Sequence, residues 1–517
     1  MKIERTKNAV KNVAFGLITK VCQVIIPFMM RTAMIRFMGI SYLGLNSLFT
    51  SVLQVLNLAE LGVGSAMIYS MYRPIAEDDQ RKICALMCLY RKYYHIIGLV
   101  IALAGLSMTP FIPGLISSDV PEGINIYALY LLNLAVTVLS YWLYAYESSV
   151  LYAYQRTDVI SKVALITSSV QYLLQFLVLW LFHNYYLYIL MMLGIQIATN
   201  IFTAAAARRL YPACVPQGKL DRASVKEING RIRDLFTSKI GSVVVNSVDT
   251  IVISAFLGLA TLAVYQNYYF ILSSVSGFVA IIFNACTAGI GNSIVLESGE
   301  KNFNDLKKFT FLTAWIAGFC SVCLLCLFQP FMRIWVGEAL ELPDRAVVCL
   351  SIYFFVFEMN HLLNTYKDAG GIWRKDRFRP LVTAMANLGM NLVMVQFWGI
   401  YGVILSTVLS MLLVGMPWLL HNLFSILFEQ SHLKVYLKTL LFYGMISIVA
   451  CSVTAAACGF IRLGDWGTFL GRMLVCFVAP NIIFYIAYRK TEEFRAMLQL
   501  IDKMTKGRFK LEQRLAG

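Results

Sequence analysis

The sequence predicts an all-α protein that crosses a membrane about fourteen times, with both ends on the cytoplasmic side. Of its 517 residues, 59% are hydrophobic and 14% are charged, whereas a soluble domain carries roughly 25% charged residues. Apolar runs recur along the whole chain with only short polar breaks, and the intervening loops alternate between basic and nearly uncharged. These observations favour one membrane domain over several soluble ones.

The individual spans follow from the length that a helix needs. About 20 apolar residues cover the hydrocarbon core of a bilayer. The clearest uncharged runs are 124–146, 184–207, 309–332 and 439–461. With the weaker runs added, we predict spans near 12–38, 44–72, 93–113, 124–146, 160–182, 184–207, 237–258, 263–295, 309–332, 346–367, 380–397, 400–423, 437–461 and 468–488.

The loop charges predict the orientation, because cytoplasmic loops retain Lys and Arg. One set of loops is basic, and the opposite set, such as PFIPGLISSDVPEG and WGIYG, carries almost no Lys or Arg. The net charge of +16 is then explained by topology and by attraction to anionic lipid, so no nucleic-acid partner is needed. The basic segments are 2–11, 73–92, 156–162, 208–239, 301–308, 367–379, 434–438 and 489–514.

The N-terminal segment and the cysteines give little information about the function. The first apolar run is longer than a signal-peptide core and lacks a small-residue cleavage site, so we expect it to stay attached. The twelve Cys residues lie mostly inside apolar runs, including Cys320, Cys323 and Cys326 in one predicted helix. Small apolar packing residues in the reduced state are the favoured interpretation over a metal or cluster site.

An internal repeat is suggested by two pairs of similar segments. The segment 37–45 (FMGISYLGL) aligns with 256–264 (FLGLATLAV), and 61–65 (LGVGS) resembles 288–293 (AGIGNS) at a slightly larger offset. Many transporters consist of two such halves. Glycines that merely mark tight helix packing are the alternative explanation.

The repeat predicts the domain organisation. Residues 1–210 form an N-terminal six-helix lobe, and 237–430 form a C-terminal six-helix lobe of the same orientation. A basic cytoplasmic linker, 211–236, joins them. Two appended transmembrane helices, 431–490, and a basic cytoplasmic tail, 491–517, complete the chain.

Two long strings resemble a known family. They are SKIGSVVVNSVDTIVISAFLGLATLAVYQNYYFILSS, with Asp249 and Thr250 in mid-helix, and RKDRFRPLVTAMANLGMNLVMVQFWGIYGVILSTVLS, with Asn387 and Asn391. They resemble bacterial lipid-linked oligosaccharide flippases of the Wzx type, within the multidrug, oligosaccharidyl-lipid and polysaccharide exporter superfamily. The resemblance implies a V-shaped, two-lobed, MATE-like bundle. It further implies transfer of undecaprenyl-pyrophosphate-linked sugar units to the outer leaflet by alternating access. Polysaccharide polymerases and glycosyltransferases are the partners that it implies.

Charges inside the spans are costly in lipid and usually face a cavity or a partner. Lys20 and Arg31 lie in the first span, and Asp249 lies in the seventh. Arg31 and Asp249 lie at nearly the same distance from the repeat-related Gly39 and Gly258, so they can face each other. Arg31 and Lys20 are suited to hold a pyrophosphate, with Asp249 neutralising Arg31 when the cavity is empty. Alternatively, Arg31 and Asp249 form a permanent structural ion pair, and Lys20 extends toward the cytoplasmic headgroups.

Three further polar residues are candidates for binding a coupling proton or sodium ion. They are Glu60 in the second span and Glu358 with His361 in the tenth. A carboxylate at depth titrates readily when it is desolvated, and residues three apart share a helix face. A hydrogen bond within the bundle is the alternative role for each.

Three functional classes compete. A flippase for a pyrophosphate-linked lipid needs a basic cavity, which Lys20 and Arg31 would supply. A cation-coupled multidrug exporter of the same fold would need an acidic cavity, so it is the second choice. A membrane enzyme is disfavoured because the outer loops are short, and the longest, 333–345, holds no His or Cys. We therefore expect no catalytic residues and no resident cofactor or metal. The resemblance to Wzx-type flippases implies a protein of the bacterial cytoplasmic membrane.

Overall fold

The computed structural model describes residues 5–117, 120–121 and 123–504, and all regular secondary structure in these residues is helical. The side chains of residues 5–20 and of a few positions in the long central helix lie outside this description. The contacts divide the chain into two compact units, Met1–Ala263 and Val264–Gly517. The predicted bounds of the lobes, the linker and the tail remain predictions.

The first unit is a bundle of helices joined by short turns. The chain leaves it through a 75-residue helix, α9. Just before this helix begins, the Asp221 side chain accepts a hydrogen bond from the backbone N–H of Ser224 at 2.9 Å. Hydrogen bonds from Ser224 lower the pKa of this exposed carboxyl. The helices are α1 (Arg5–Phe37), α2 (Ile40–Leu56), α3 (Val63–Ala76), α4 (Gln80–Met108), α5 (Ile126–Trp142), α6 (Ser148–Ala153), α7 (Thr157–Leu181), α8 (Tyr185–Leu210) and α9 (Arg222–Leu296).

The second unit contains the end of α9 and eight further helices. Between Ser410 and Met416 the helix widens into one π turn, Met411–Gly415. The helices are α10 (Gly299–Val336), α11 (Asp344–Ala369), α12 (Trp373–Asp376), α13 (Arg379–Ser410), α14 (Met416–Ile426), α15 (Ser431–Gly459), α16 (Asp465–Tyr488) and α17 (Glu492–Met504).

The helix lengths identify a multi-pass membrane protein. Within the described residues, ten helices are long and apolar enough to cross a membrane, or eleven if one bent pair forms a single span. The longest of these stretches, Trp373–Ile426, has 54 residues and would be about 80 Å long as one straight helix at 1.5 Å per residue, against a hydrocarbon core of about 30 Å. It contains non-helical Gly399, and Ser247–Ile281 contains non-helical Gly258. The count is compatible with fourteen crossings, and the exact number remains a prediction.

The backbone repeats itself at the spacing that the sequence suggests. Gly39, between α1 and α2, has φ 101° and ψ 164°, and Gly258, at the matching position of the repeat within α9, has φ 86° and ψ 170°. The helix that follows the second repeated segment begins alike in each unit. Asp79 accepts a hydrogen bond from the N–H of Lys82, and Ser298 accepts one from the N–H of Lys301. These matches in geometry support the repeat independently of residue identity.

Buried aspartates secure the start of corresponding helices in the two units. Asp158, fully buried at the start of α7, accepts a hydrogen bond from Arg156 Nε at 2.9 Å. In the second unit Asp376, which is 2% exposed, accepts from Arg379 Nε at 2.7 Å and from Asn422 Nδ2 at 2.9 Å. Because each carboxylate is desolvated and charge-paired, it fixes how the chain turns into the next helix.

The two appended helices, α15 and α16, pack on α10. Tyr436 on α15 shares a 2.9 Å hydrogen bond with Thr310 on α10, and both side chains are fully buried. Trp315 on α10 donates its indole N–H to Asn481 on α16 at 2.9 Å. The ring of Trp315 also stacks on Phe494 of α17. The last helices are therefore part of the second unit rather than a separate domain.

Candidate functional site

The second span of the first unit is broken, and a carboxylate lies at the break. After α2 ends at Leu56, residues Asn57–Glu60 form one 3-10 turn, and Gly62 adopts a left-handed conformation with φ 87° before α3 begins. Broken helices within a membrane domain are tolerated where they line a cavity or are buried in protein. Glu60 is thus placed at an interruption of the helical hydrogen-bond pattern rather than on a regular helix.

Two tyrosines of α4 form a chain of hydroxyl groups that ends on this carboxylate. Tyr94 donates its hydroxyl to Glu60 Oε1 at 3.2 Å, and Tyr90 donates to the Tyr94 hydroxyl at 2.7 Å. A Cβ atom at Gly64 would lie only 3.1 Å from the Tyr90 hydroxyl and 3.2 Å from Glu60 Oε1. The glycine therefore leaves room for a chain of hydroxyl groups that ends on a carboxylate. Such a chain can conduct or hold a proton.

Arg31 lies in α1 near a cluster of aromatic side chains. It is half-buried, and Tyr188 of α8 is close enough to interact with its charge. Tyr188 stacks on Tyr185 with ring centroids 5.7 Å apart, and Tyr185 contacts the ring of Tyr42 at 5.3 Å. These α8 tyrosines were not predicted as site residues. The run Tyr185–Tyr188 was the available signal, but these residues were assigned only to the start of the predicted span 184–207.

Asp249 is buried in α9, nine residues before Gly258, with an 8% exposed side chain. One turn later, Ser254 donates its hydroxyl to the Leu115 carbonyl at 2.7 Å, and its own carbonyl accepts from the Ser117 N–H at 3.3 Å. This part of α9 is therefore fixed to the segment that follows α4. Arg31 and Asp249 belong to the same compact unit. Their pairing remains a prediction, and the side chain of Lys20 lies outside the described residues.

The second unit contains a fully buried carboxylate, Glu358 on α11. Ser276 of α9 donates its hydroxyl to Glu358 Oε1 at 2.6 Å. The second oxygen, Oε2, accepts no hydrogen bond among the described residues and lies 3.6 Å from Nδ1 of His361, one turn along α11. The side-chain oxygen of neighbouring Asn360 is also buried, with no hydrogen-bond partner in the described part of the chain.

This second group can bind a proton or a small cation. His361 lies against the ring of Phe283, with centroids 4.7 Å apart, so one wall of the group is apolar. A buried carboxylate oxygen without a hydrogen bond is costly when charged. A bound proton or cation would remove that cost, with Glu358, Ser276 and His361 supplying oxygen and nitrogen atoms. Ser276 could not be predicted, because it is 82 positions from Glu358 in the chain.

Only one group of three or more His, Cys, Asp or Glu side chains in the described part of the chain is compact enough to hold a metal ion. It is formed by Cys326, Cys458 and Cys476 of the second unit. All twelve cysteines are free thiols.

Comparison with known proteins gives the class of fold. Lipid II flippase MurJ, in an inward closed conformation, matches with a TM-score of 0.64 at 15% identity, over 92% of this chain and 99% of MurJ. A multidrug resistance MATE family transporter of the MOP superfamily matches with a TM-score of 0.58 at 16% identity, over 82% of this chain and 99% of the other. The Vibrio cholerae MATE transporter VcmN matches with a TM-score of 0.56 at 14% identity, over 81% of this chain and 96% of VcmN.

The chain therefore has the fold shared by MurJ and the MATE transporters. The predicted MATE-like, all-helical fold class is confirmed. No protein-family model and no curated protein matches the sequence.

Proposed function

We propose that this protein is a flippase that moves undecaprenyl-pyrophosphate-linked oligosaccharide units from the inner to the outer leaflet for cell-surface polysaccharide assembly. The observation that carries the proposal is a half-buried arginine, Arg31, inside a membrane fold that matches a lipid II flippase over 92% of the chain. The matches with the two MATE transporters cover less of this chain, 81–82%.

Arg31 is the residue proposed to bind the pyrophosphate. A guanidinium matches phosphate oxygens with paired donors, and its charge is worth more at depth than in water. Lys20 is proposed to add a second positive charge from the same helix, and Asp249 to neutralise Arg31 when no substrate is bound. The tyrosines beside Arg31 present flat apolar faces and hydroxyl groups, which suit a sugar ring next to a phosphate. Alternating access would then move the headgroup while the lipid tail stays in the bilayer.

The energy source is proposed to be an ion gradient. Glu358, with His361 and Ser276, is the first candidate for a proton or sodium site, because its side chain is fully buried and one oxygen lacks a hydrogen bond among the described residues. Glu60 is the second, through the hydrogen bond that it accepts from Tyr94, whose hydroxyl in turn accepts one from Tyr90. Neither residue is proposed to act in catalysis.

A cation-coupled multidrug exporter is the second candidate function. The buried Glu358 and the likeness to MATE transporters favour it. Arg31 favours the flippase, because a cavity for organic cations has no use for a fixed positive charge.

The cellular setting follows from the proposal. The protein would lie in a bacterial cytoplasmic membrane with both termini in the cytoplasm. Its partners would be membrane lipids, the lipid-linked oligosaccharide, and the polymerases and glycosyltransferases that use or make it.

The test is transport of a labelled undecaprenyl-pyrophosphate oligosaccharide across liposomes that contain the purified protein. We expect Arg31→Ala to lose at least tenfold in rate and Arg31→Lys to retain part of it. Arg36→Ala is the matched control, because Arg36 is exposed on the same helix. Wild-type protein that moves no lipid-linked sugar but takes up an organic cation along a proton or sodium gradient would replace the flippase with the exporter.

A further inference from the structure

Three cysteines from three different helices meet inside the second unit. Cys326 lies on α10, Cys458 on α15 and Cys476 on α16, and their side chains are 4%, 2% and 1% exposed. Their sulfur atoms all lie within 4.8 Å of one another. A fourth thiol, Cys323, lies one turn before Cys326 on α10 and interacts electrostatically with Cys476. We call Cys323, Cys326, Cys458 and Cys476 the thiol cluster.

A cation lies beside the thiol cluster. Arg472 precedes Cys476 by one turn on α16 and interacts electrostatically with both Cys458 and Cys476. Its Nε atom is buried and has no hydrogen-bond partner among the described residues. Four neutral thiols offer no negative charge to a guanidinium, and leaving the buried Nε–H of Arg472 unpaired is costly. Packing alone therefore accounts for the cysteines but not for Arg472.

We propose that the thiol cluster binds one thiophilic metal ion, Zn²⁺ or Cu⁺, through Cys326, Cys458 and Cys476. Thiolate sulfur is the donor that selects these ions over Mg²⁺ or Ca²⁺. With metal–sulfur bonds of about 2.3 Å, the sulfur atoms of a three-thiolate site lie about 3.8–4.0 Å apart. The sulfur atoms need to move by less than about 1 Å from their present spacing.

The charges balance around Arg472. Each metal–thiolate bond replaces an S–H bond, and the proton leaves to solvent without any change of oxidation state. Zn²⁺ with three thiolates carries one negative charge, as does Cu⁺ with two thiolates and one neutral thiol. Arg472 cancels that charge in both cases.

The metal would join α15 and α16 to α10. Cys458 is the residue before the last of α15, next to the turn 460–464, so an ion can enter from that end of the helices. The proposal does not depend on the proposed function, because it concerns only the attachment of the two appended helices.

The test is the metal content of the purified full-length protein, measured by elemental mass spectrometry after Zn²⁺ alone or Cu⁺ alone is added to chelator-treated protein. We expect about one equivalent of the preferred ion, and X-ray absorption showing three sulfur neighbours at about 2.3 Å. Cys458→Ser and Cys476→Ser should each lose the ion. Cys349→Ser on α11 is the matched control and should keep it.

A further variant keeps all thiols in place. Arg472→Gln should weaken metal binding by about tenfold to a hundredfold, as expected for a group that supports the ligands. If the Ser variants fail to fold, which size-exclusion chromatography would reveal, Arg472→Gln still tests the metal site. Less than a tenth of an equivalent of either ion in wild type, full metal content in both Ser variants, or a disulfide within the thiol cluster would overturn the proposal.

Discussion

Gly39 and Gly258 have nearly the same backbone conformation although they lie far apart in the chain, with φ 101° and ψ 164° at the first and φ 86° and ψ 170° at the second. L-amino acids with a Cβ atom essentially never adopt this region. The two glycines therefore mark turns of the same backbone geometry between consecutive helices, at the offset that the predicted repeat requires.

Replacing either glycine by alanine should destabilise the protein by about 1–3 kcal/mol through backbone strain alone. Nothing lies within 4 Å of a Cβ built at Gly39, so steric overlap does not contribute there. The check is thermal and denaturant unfolding of Gly39→Ala in detergent. Gly444→Ala is the control, because Gly444 is helical with open space around it and should be neutral or slightly stabilising. Equal stability of the two variants would contradict the assignment of strain.

Asp376→Ala should be strongly destabilising, by about 3–5 kcal/mol, because it leaves the buried Arg379 guanidinium without its carboxylate. Asp368→Ala removes a carboxylate that is 51% exposed and should cost about 0–1 kcal/mol. Unfolding midpoints of the two variants measure the difference. The explanation fails if Asp376→Ala unfolds at the wild-type midpoint, or if replacing Asp376 and Arg379 together by apolar residues is as harmful as Asp376→Ala.

Glu358→Gln should abolish stimulation of transport by a proton or sodium gradient while the protein remains folded. Glutamine keeps an oxygen that can accept from Ser276, but it cannot take up a proton or balance a cation. The melting temperature should be equal to or above that of wild type, because a buried charge is removed. Transport with and without the gradient is measured in liposomes, with Glu300→Gln as the exposed control. If transport by Glu358→Gln still depends on the gradient as in wild type, Glu358 is not the coupling residue, and Glu60 becomes the candidate.

Tyr94→Phe tests the hydroxyl chain in the first unit. The change removes the hydrogen bond to Glu60 Oε1 and leaves Tyr90 without its acceptor, so we expect a loss of about 1–3 kcal/mol in stability. Tyr93→Phe removes a hydroxyl that bonds to Asn229 at an exposed position, and it should cost less. The two unfolding free energies are compared under the same detergent conditions.

Hydropathy and charge predicted the helical class well because both report burial in lipid. The predicted span 309–332 lies wholly within α10, Gly299–Val336. The ends of that helix were missed because its polar first turns extend beyond the apolar run. The break at Asn57–Gly62 was also missed, since hydropathy carries no information on backbone conformation, although Gly62 itself was a signal.

Site residues were predicted less completely than spans. Costly polar groups such as Glu358 and Asp249 stand out in an apolar sequence, and both are buried. Their partners do not stand out, because residues such as Ser276 and Tyr94 are common inside membrane helices. The proximity of Cys326, Cys458 and Cys476 depends on how α10, α15 and α16 pack, which no spacing along the chain specifies.

The length of α9 has a mechanical consequence. The helix is unbroken from Arg222 to Gly258. The directions of the side chains in its polar start are therefore fixed relative to those in its membrane part. Arg231, which lies over the Tyr69 ring and contacts Ser70, therefore has a fixed angular position relative to Asp249. One alanine inserted after Asp234 would turn Asp249 by about 100° relative to Arg231 and should stop transport. The same insertion after Lys219, before the helix starts, leaves this angular position unchanged and should be tolerated.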